Sequence, residues 1–279
     1  MTLLPTVAAI GTIDHVVIAV DGLARAADIY RHLGFTLSPK GLHSAVLGTE
    51  NHTIMLGQDY FELLGVVAPT PRNAQWRRVI ASGGGLAGMA MVSLDPQAAY
   101  AYWLAADLSP EPAIRFARAV PRPDGSTLEA RFEVVSLDEI PDTGLRLFVC
   151  SQPTREAVWL PELQRHANTA LAIHRLVLGC PDPDRSAAQW QRALPASRWV
   201  TSANGGTLDT GQHTIELVHT RQRKVQPVGI DFRVADLAAC TAALVRGGIR
   251  YRHEGARLTV RPEFACNVAL GFEVARGTG

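Results

Sequence analysis

The chain has 279 residues, about twice the length of an average single domain, so two domains or a set of repeated units are the sizes to consider. Apolar residues make up 47% and charged residues 19%, with a mean hydropathy of +0.06, which excludes a disordered or coiled-coil chain. The 27 basic residues against 26 acidic ones give a net charge of +1, which argues against a nucleic-acid or anionic-membrane partner.

The N-terminus and the cysteines indicate the compartment. The segment Met1–Asp14 lacks the basic region and the continuous apolar run of a signal peptide, and no apolar run reaches the length of a membrane span. The four cysteines form no CxxC pair and lie in apolar surroundings, which favours buried free thiols over a disulfide framework. We therefore expect a cytoplasmic protein.

The first repeated unit is predicted near the N-terminus. The row Ile13–Val20 is rich in β-branched residues and predicts a strand. The segment Ala26–Leu33 has its apolar residues on one helical face, so it predicts a helix. Extended segments at Phe35–Leu37, His52–Leu56 and Tyr60–Val67 complete a βαβββ unit.

Three further units follow in the same order of elements. Their helices are predicted at Pro96–Ala106, Ser186–Leu194 and Leu237–Arg246, each between segments predicted as strands. A turn at Pro123–Gly125 is predicted to separate two strands of the second unit. The fourth unit is the shortest.

Internal similarity supports a duplicated pair of units. The segment GQDYFEL at Gly57–Leu63 recurs as GQHTIEL at Gly211–Leu217, and Ala26–Leu33 resembles Ala187–Leu194. The join is expected in the proline-containing stretch Pro153–Thr169. The predicted domains are residues 1–153, with units 13–67 and 85–152, and residues 154–279, with units 172–219 and 228–274.

Two polar residues stand out in otherwise apolar strands, His15 and Glu62. An unpaired buried carboxylate is costly, so Glu62 is expected to be ion-paired, protonated, solvent-facing or bound to a metal. An imidazole together with a carboxylate suits a divalent metal such as zinc, iron, manganese or nickel. Two ligands are too few for a metal centre, and the alternative is that His15 makes a structural hydrogen bond while Glu62 pairs with an arginine.

Motifs of other enzyme classes are missing from the sequence. It has no GxGxxG after a strand, no Walker loop, no GxSxG elbow and no HExxH. We therefore expect no nucleotide cofactor and no serine or zinc hydrolase of these kinds.

Several motifs together carry a family resemblance. They are DHVVIAV at Asp14–Val20, His43 followed by Gly48, Thr49 and Asn51, the row Tyr60-Phe61-Glu62-Leu63, PRPDG within Arg118–Gly125, and the W-x-P-E-x-x-R-H-x-N segment from Trp159 to Asn168. With a histidine early in the first strand and a glutamate in the last, the sequence resembles the vicinal oxygen chelate superfamily, which holds glyoxalase I, extradiol dioxygenases and bleomycin-resistance proteins. The resemblance is closest to its glyoxalase-like subgroup.

The resemblance implies an α+β fold in which four βαβββ units form two glyoxalase-like domains, with curved, mostly antiparallel sheets around clefts. Pairing of the first unit with the second and pairing with the fourth are both open. Metal ligands would project from first and last strands, at His15 and Glu62, with Gln152 as a further ligand in the second unit. His174 and Glu216 occupy comparable places in the second half. Gln152 is a poorer ligand than a histidine, and the first strand of the second unit offers none.

The resemblance also implies catalytic and substrate-binding groups in the first unit. It places His43 and Glu62 as acid or base, and Thr49, Asn51 and Phe61 at the substrate. The alternative for His43 is an exposed loop position, and the alternative for Phe61 is packing within the sheet.

The fourth unit offers two carboxylates of its own. Asp231 and Glu273 are candidate ligands there, although Asp231 is as well suited to pair with an arginine.

Two functions follow from the resemblance. One is a metal-dependent lyase, isomerase or dioxygenase, in which the metal polarises a small substrate with vicinal oxygens. The other is a metal-free protein that binds or sequesters a small molecule, as bleomycin-resistance proteins do, and the missing ligands of the second unit favour it. A further variant keeps a site in one half and uses the other as scaffold. The expected partner is a small molecule, and a homodimer stays open because the sequence does not determine the oligomeric state.

Overall fold

The structure is a computed structural model that describes residues 9–121, 126–137 and 143–274. The turn predicted at Pro123–Gly125, and with it most of the PRPDG motif, lies outside the described residues. Within those ranges, no helix has the length and apolar character needed to cross a membrane.

The N-terminal half forms an 8-stranded sheet with helices. Its strands are β1 (Ile13–Ala19), β2 (Gly41–Leu42), β3 (Thr49–Met55), β4 (Tyr60–Val66), β5 (Gly85–Val92), β6 (Ile114–Pro121), β7 (Thr127–Ser136) and β8 (Arg146–Ser151). Its helices are α1 (Leu23–His32), α2 (Ala74–Ala81) and α3 (Pro96–Ala105). The strand order is β2-β3-β4-β1-β5-β8-β7-β6, so each βαβββ unit supplies one half of the sheet.

The C-terminal half repeats this arrangement. Its strands are β9 (Ala170–Cys180), β10 (Arg198–Ser202), β11 (Gly205–Asp209), β12 (Thr214–His219), β13 (Gln226–Val234), β14 (Tyr251–Glu254), β15 (Arg257–Val260) and β16 (Ala269–Val274). Its helices are α4 (Pro183–Ala193) and α5 (Leu237–Arg246). The order β10-β11-β12-β9-β13-β16-β15-β14 matches the first sheet position by position. The predicted α+β class with four βαβββ units is confirmed.

Two local predictions were wrong. The strand predicted at Phe35–Leu37 does not form: the Phe35 ring packs in a cluster of buried aromatic rings, and the edge strand forms later, at Gly41–Leu42. The sequence prediction also missed α2, whose eight residues bury one large side chain, Trp76. A helix this short carries too few apolar repeats to show a clear period.

The chain packs into two compact units, and each contains segments from both halves of the sequence. Among the described residues, the first packing unit contains residues 9–16, 88–121, 126–137, 143–158 and 177–227, and the second contains residues 17–87, 159–176 and 228–274. Each sheet lies within one half of the sequence, whereas each packing unit combines βαβββ segments from both halves. The domain bounds 1–153 and 154–279 stay a prediction.

Aromatic side chains form the core of the second packing unit. Phe61 contacts Phe35 at a ring-centroid distance of 5.1 Å and Phe232 at 5.2 Å, and Phe232 stacks on Phe272 at 5.8 Å. Tyr30 of α1 lies 5.6 Å from Phe61, and its hydroxyl donates to the Ala265 carbonyl. These rings bring β4, β13 and β16 against α1, and edge-to-face and stacked aromatic pairs stabilise beyond their buried area.

The cysteines are free thiols, as predicted. Cys150, Cys180 and Cys240 are buried, while Cys266 is half-buried. Burial raises the pKa of Cys240 to about 12 and that of Cys266 to about 11. Both groups are therefore protonated at neutral pH, which makes them poor nucleophiles.

His166 joins the connecting segment to the first βαβββ unit. Its Nδ1 accepts a hydrogen bond from the Thr36 backbone N–H at 3.0 Å, which requires the proton to be on Nε2. Nε2 then donates to the Met55 carbonyl at 2.8 Å. Both ring nitrogens are therefore satisfied only when the imidazole is neutral, and burial lowers the pKa of His166 below 6.5.

The free energy of unfolding is expected to fall as the pH drops below about 6.5, which is the pKa of a histidine in the unfolded chain. Between that value and the lowered pKa of His166, the unfolded chain binds more protons, so the free energy of unfolding decreases by up to about 1.4 kcal/mol per pH unit. Denaturant unfolding at pH 8 and pH 5.5 measures this. His166→Gln should reduce the pH dependence, and the exposed His219→Gln should not; equal profiles in all three proteins would contradict the assignment.

Candidate functional site

Polar side chains meet where β1 begins and β8 ends. The Asp14 carboxylate accepts from the Nδ1 of His15 at 2.7 Å and from the Nε2 amide of Gln152, just beyond β8, also at 2.7 Å. Arg155 reaches the other Asp14 oxygen at 3.5 Å. We call these four residues, Asp14, His15, Gln152 and Arg155, the β1–β8 cluster. Its members come from one packing unit.

The Asp14 carboxylate determines the tautomer of His15. An ionised carboxylate only accepts hydrogen bonds, so the proton lies on Nδ1 and the lone pair on Nε2. A carboxylate in this position orients an imidazole for work as a base or ligand. His15 is only 4% exposed, and its ring meets the Phe148 ring edge-on at 5.4 Å. The histidine is thus a buried, oriented base.

Gln152 contributes an unsatisfied acceptor to the same cluster. Its amide nitrogen donates a hydrogen bond to Asp14, whereas its Oε1 is buried and has no hydrogen-bond partner. A buried carbonyl oxygen without a donor is unfavourable, and native structures satisfy such atoms with water or a ligand.

A second set of polar residues lies on β3 and β4. The antiparallel register pairs Thr53 with Glu62 and Ile54 with Phe61, so Glu62 and Phe61 point to opposite faces. Phe61 contacts Tyr30 of α1. The Glu62 face is therefore the one turned away from α1, and alternation places Thr49 and Asn51 on it as well.

These residues form a hydrogen-bonded strip, the β3–β4 cluster of His43, Thr49, Asn51 and Glu62. The Asn51 amide donates to Glu62 Oε2 at 2.5 Å, while Asn51 Oδ1 is buried without a partner. Thr49 Oγ1 lies 2.7 Å from the Nδ1 of the half-buried His43. Asn51 is 3% exposed and Glu62 7%. Glu62 is thus buried against an amide rather than an arginine.

Three candidate residues of the C-terminal half, His174, Asp231 and Glu273, lie in the second packing unit. His174 on β9 is paired through Nδ1 with Glu273 of β16, and burial is the main cause of its lowered pKa. Glu216 lies half-buried on β12, in the other packing unit. Asp231 is buried between Arg175 and Arg257, so of its two alternatives, metal ligand or arginine partner, the structure shows the arginine contacts.

Sequence reasoning missed the partners of His15. Asp14 was part of the DHVVIAV motif, but nothing in its spacing linked it to Gln152 or Arg155, which are 138 and 141 residues away. The acidic residue directly before the histidine was the one signal that could have drawn attention to it.

The residues present do not fit a resident metal in either cluster. The described ranges contain no group of three or more His, Cys, Asp and Glu side chains that could hold one. The β1–β8 cluster supplies one imidazole and one amide oxygen, since its carboxylate already accepts from His15 and Gln152. The β3–β4 cluster supplies one carboxylate, with one oxygen bonded to Asn51, and one imidazole, His43, whose Nδ1 lies against Thr49 Oγ1. Zinc and iron sites use three or more protein ligands.

Comparison with known proteins places the chain by sequence and by fold. A family model described as a glyoxalase-like domain matches residues 13–194. No curated protein is significantly similar in sequence.

Several solved structures share the fold. A hypothetical protein from Staphylococcus aureus is 12% identical with a TM-score of 0.69, and the alignment covers 94% of this chain and 99% of that one. A triple mutant of 4-hydroxymandelate synthase from Streptomyces coelicolor is 12% identical with a TM-score of 0.62, covering 97% and 95%. A xylose isomerase-like TIM barrel/4-hydroxyphenylpyruvate dioxygenase fusion protein is 15% identical with a TM-score of 0.60, covering 99% and 51%, so the chain spans about half of it. At these identities the likeness concerns the fold alone.

Proposed function

Because the chain belongs to the glyoxalase-like domain family of the vicinal oxygen chelate superfamily, with two such domains built from four βαβββ units, we propose that it acts on a small substrate with adjacent oxygens. The proposed site is the β1–β8 cluster, and the proposed reaction is a proton transfer of the lyase or isomerase type. One observation carries the proposal. A buried histidine in the first strand is hydrogen-bonded to a carboxylate that leaves its Nε2 basic.

The roles of the residues follow from their contacts. His15 accepts a proton at Nε2 from a substrate carbon beside a carbonyl and returns it to the neighbouring carbon or oxygen. Asp14 holds the ring and stabilises the imidazolium that forms, since its carboxylate lies at 2.7 Å from Nδ1. Gln152 Oε1 accepts a hydrogen bond from a substrate hydroxyl, which satisfies an otherwise unpaired buried oxygen.

Burial strengthens each of these interactions. Phe148, which is itself buried, covers one edge of the His15 ring, so little water competes for the polar groups of the cluster. Hydrogen bonds in such surroundings are stronger than in water. The arrangement therefore supports binding and proton transfer in one place.

A metal-dependent lyase, isomerase or dioxygenase is the version of this function that the family resemblance predicts. The incomplete donor sets of both clusters do not support it, and we keep it as an outcome of the experiment below.

The second candidate function is a metal-free binding protein. The buried, unpartnered oxygens Oε1 of Gln152 and Oδ1 of Asn51 favour it, because a ligand with hydroxyl or amino groups could satisfy either oxygen without any reaction.

Proton exchange and metal content together test the proposal. Untagged protein purified without chelators is incubated in D₂O with a probe such as dihydroxyacetone, and deuterium at the carbon beside the carbonyl is followed by NMR. We expect exchange that persists after chelator treatment. Binding without exchange would favour the metal-free binding protein. Exchange that disappears with the removal of about one metal per chain would overturn the metal-free mechanism.

A further inference from the structure

Charged side chains cover one face of β13 and its neighbours in the second packing unit. Parallel pairing sets Arg233 of β13 opposite Glu273 of β16, and antiparallel pairing sets Glu273 opposite Arg257 of β15. Asp231 lies two residues before Arg233 and shares its face, while Phe232 between them points into the aromatic core. The charged face is therefore the one opposite the core.

Asp231 holds two guanidinium groups in place on this face. Arg175 of β9 donates through Nε to Asp231 Oδ2 at 2.8 Å, and Arg257 donates through Nη2 to Oδ1. The carboxylate is buried, and both arginines are partly exposed. A Cβ on Gly271 would overlap Asp231 Oδ1 and the Arg257 guanidinium. Arg257 thus crosses β16 at a glycine to reach β13.

Two donors on the face lack acceptors. Arg233 is half-buried and makes no hydrogen bond or ion pair with any residue that the structure describes. The Nε of Arg257 is buried and has no partner either. Leaving guanidinium donors unsatisfied in half-buried surroundings costs free energy, so an acceptor from outside the chain is expected.

The net charge of this face is positive, which also favours an acceptor with negative charge. Three arginines, Arg175, Arg233 and Arg257, face two carboxylates, Asp231 and Glu273. His174, which pairs with Glu273, is counted as neutral because burial lowers its pKa. Along the same registers, exposed Arg252 and Glu254 of β14 add one charge of each sign. The face therefore carries an excess of one positive charge.

We propose that this face binds a small organic monocarboxylate. A carboxylate is planar and accepts two hydrogen bonds side by side from one guanidinium, which suits the unpaired Arg233. Its single negative charge matches the excess on the face. Arg233 and Arg257 lie on strands separated by β16, about 10 Å apart at their Cα atoms, so both side chains can reach one ligand.

The proposed site is independent of the β1–β8 cluster. Arg233, Arg257 and Asp231 all follow residue 194, where the match to the family model ends. Its packing unit is also a different one, since the β1–β8 cluster belongs to the first. Failure of the proton-transfer proposal would leave this site untouched.

Calorimetry at low ionic strength with propionate and benzoate tests the site. We expect the wild type to bind one carboxylate per chain. The dissociation constants of Arg233→Gln and of Arg257→Gln should be about tenfold higher or more. Arg221→Gln is the matched control, because it removes the same charge from an exposed loop position and should bind as the wild type does. Thermal unfolding of each variant shows whether it is folded.

Three results would overturn the proposal. The first is that the wild type binds neither carboxylate, and the second is that inorganic phosphate binds more tightly than both. The third is that Arg221→Gln weakens binding as much as Arg233→Gln does. Retained binding in folded Arg233→Gln and Arg257→Gln proteins would have the same effect, since the two unpaired donors carry the argument.

Discussion

Replacing His15 by glutamine is expected to slow deuterium exchange into the probe by about a hundredfold or more. The glutamine side chain can still hydrogen-bond Asp14, but it has no basic nitrogen to take the proton from carbon. Probe binding should change far less, because Gln152 and Arg155 remain in place. NMR exchange rates and calorimetry on the same samples measure the two effects separately.

Asp14→Asn distinguishes a positioning role from a merely structural one. The asparagine amide can donate to Nδ1 and so favour the tautomer whose proton lies on Nε2, where it blocks the base. We expect the exchange rate to fall while the Michaelis constant for the probe stays close to the wild-type value. Asp14→Glu should recover part of the rate. His219→Gln, an exposed histidine, is the control and should exchange as the wild type does.

The result that would contradict this assignment is unchanged exchange in a folded His15→Gln protein. In that case the base lies elsewhere, and the β3–β4 cluster with Glu62 becomes the next candidate.

Replacing Phe61 by alanine is expected to lower the free energy of unfolding by about 3–5 kcal/mol. The Phe61 ring is fully buried and contacts Tyr30, Phe35 and Phe232 at centroid distances of 5.1–5.6 Å. The substitution would leave a cavity that these rings cannot fill without leaving their rotamers. Chemical denaturation followed by tryptophan fluorescence measures the loss.

A graded series supports the interpretation. Phe61→Leu keeps most of the volume and should cost about half as much or less, while Leu94→Ala on the surface should stay within about 0.5 kcal/mol. A loss below about 1 kcal/mol in Phe61→Ala would show that the cluster is not a packed core. The substrate-binding role predicted for Phe61 stays a prediction, and its position on the α1 side of β4 favours packing.

The fold was largely predictable because its signals are local. The β-branched row at Ile13–Val20 and the helical face of Ala26–Leu33 specify their elements within a few residues, and the same order of elements repeats in each unit. The failure at Phe35–Leu37 has a tertiary cause. An apolar residue there satisfies an extended pattern, but the contacts of its ring with Phe61 and Phe232 do not require a strand, and the edge strand begins only at Gly41.

The candidate site was predictable only in part. His15 and Glu62 stood out because polar residues in apolar strands need a reason, and the structure shows hydrogen-bonded partners for both. The partners themselves, Asp14 with Gln152 and Asn51 with Glu62, depend on the order of the strands in the sheet and on their register. A motif written along one strand carries no information about that register.

The amino-acid sequence by itself determined the βαβββ order within each unit, the four-unit repeat and the family, since each rests on patterns within one segment or on the similarity of one segment to another. The tertiary structure decided which polar groups meet. Asp231 is joined to Arg175 across 56 residues of chain, and Gln152 to Asp14 across 138. Such pairs form because distant segments enter one sheet: β9 and β13 are adjacent strands, about 5 Å apart, while β1 and β8 have only β5 between them. The chemistry of these groups follows from contacts between distant residues. The pattern of apolar residues along one strand or helix does not specify those contacts.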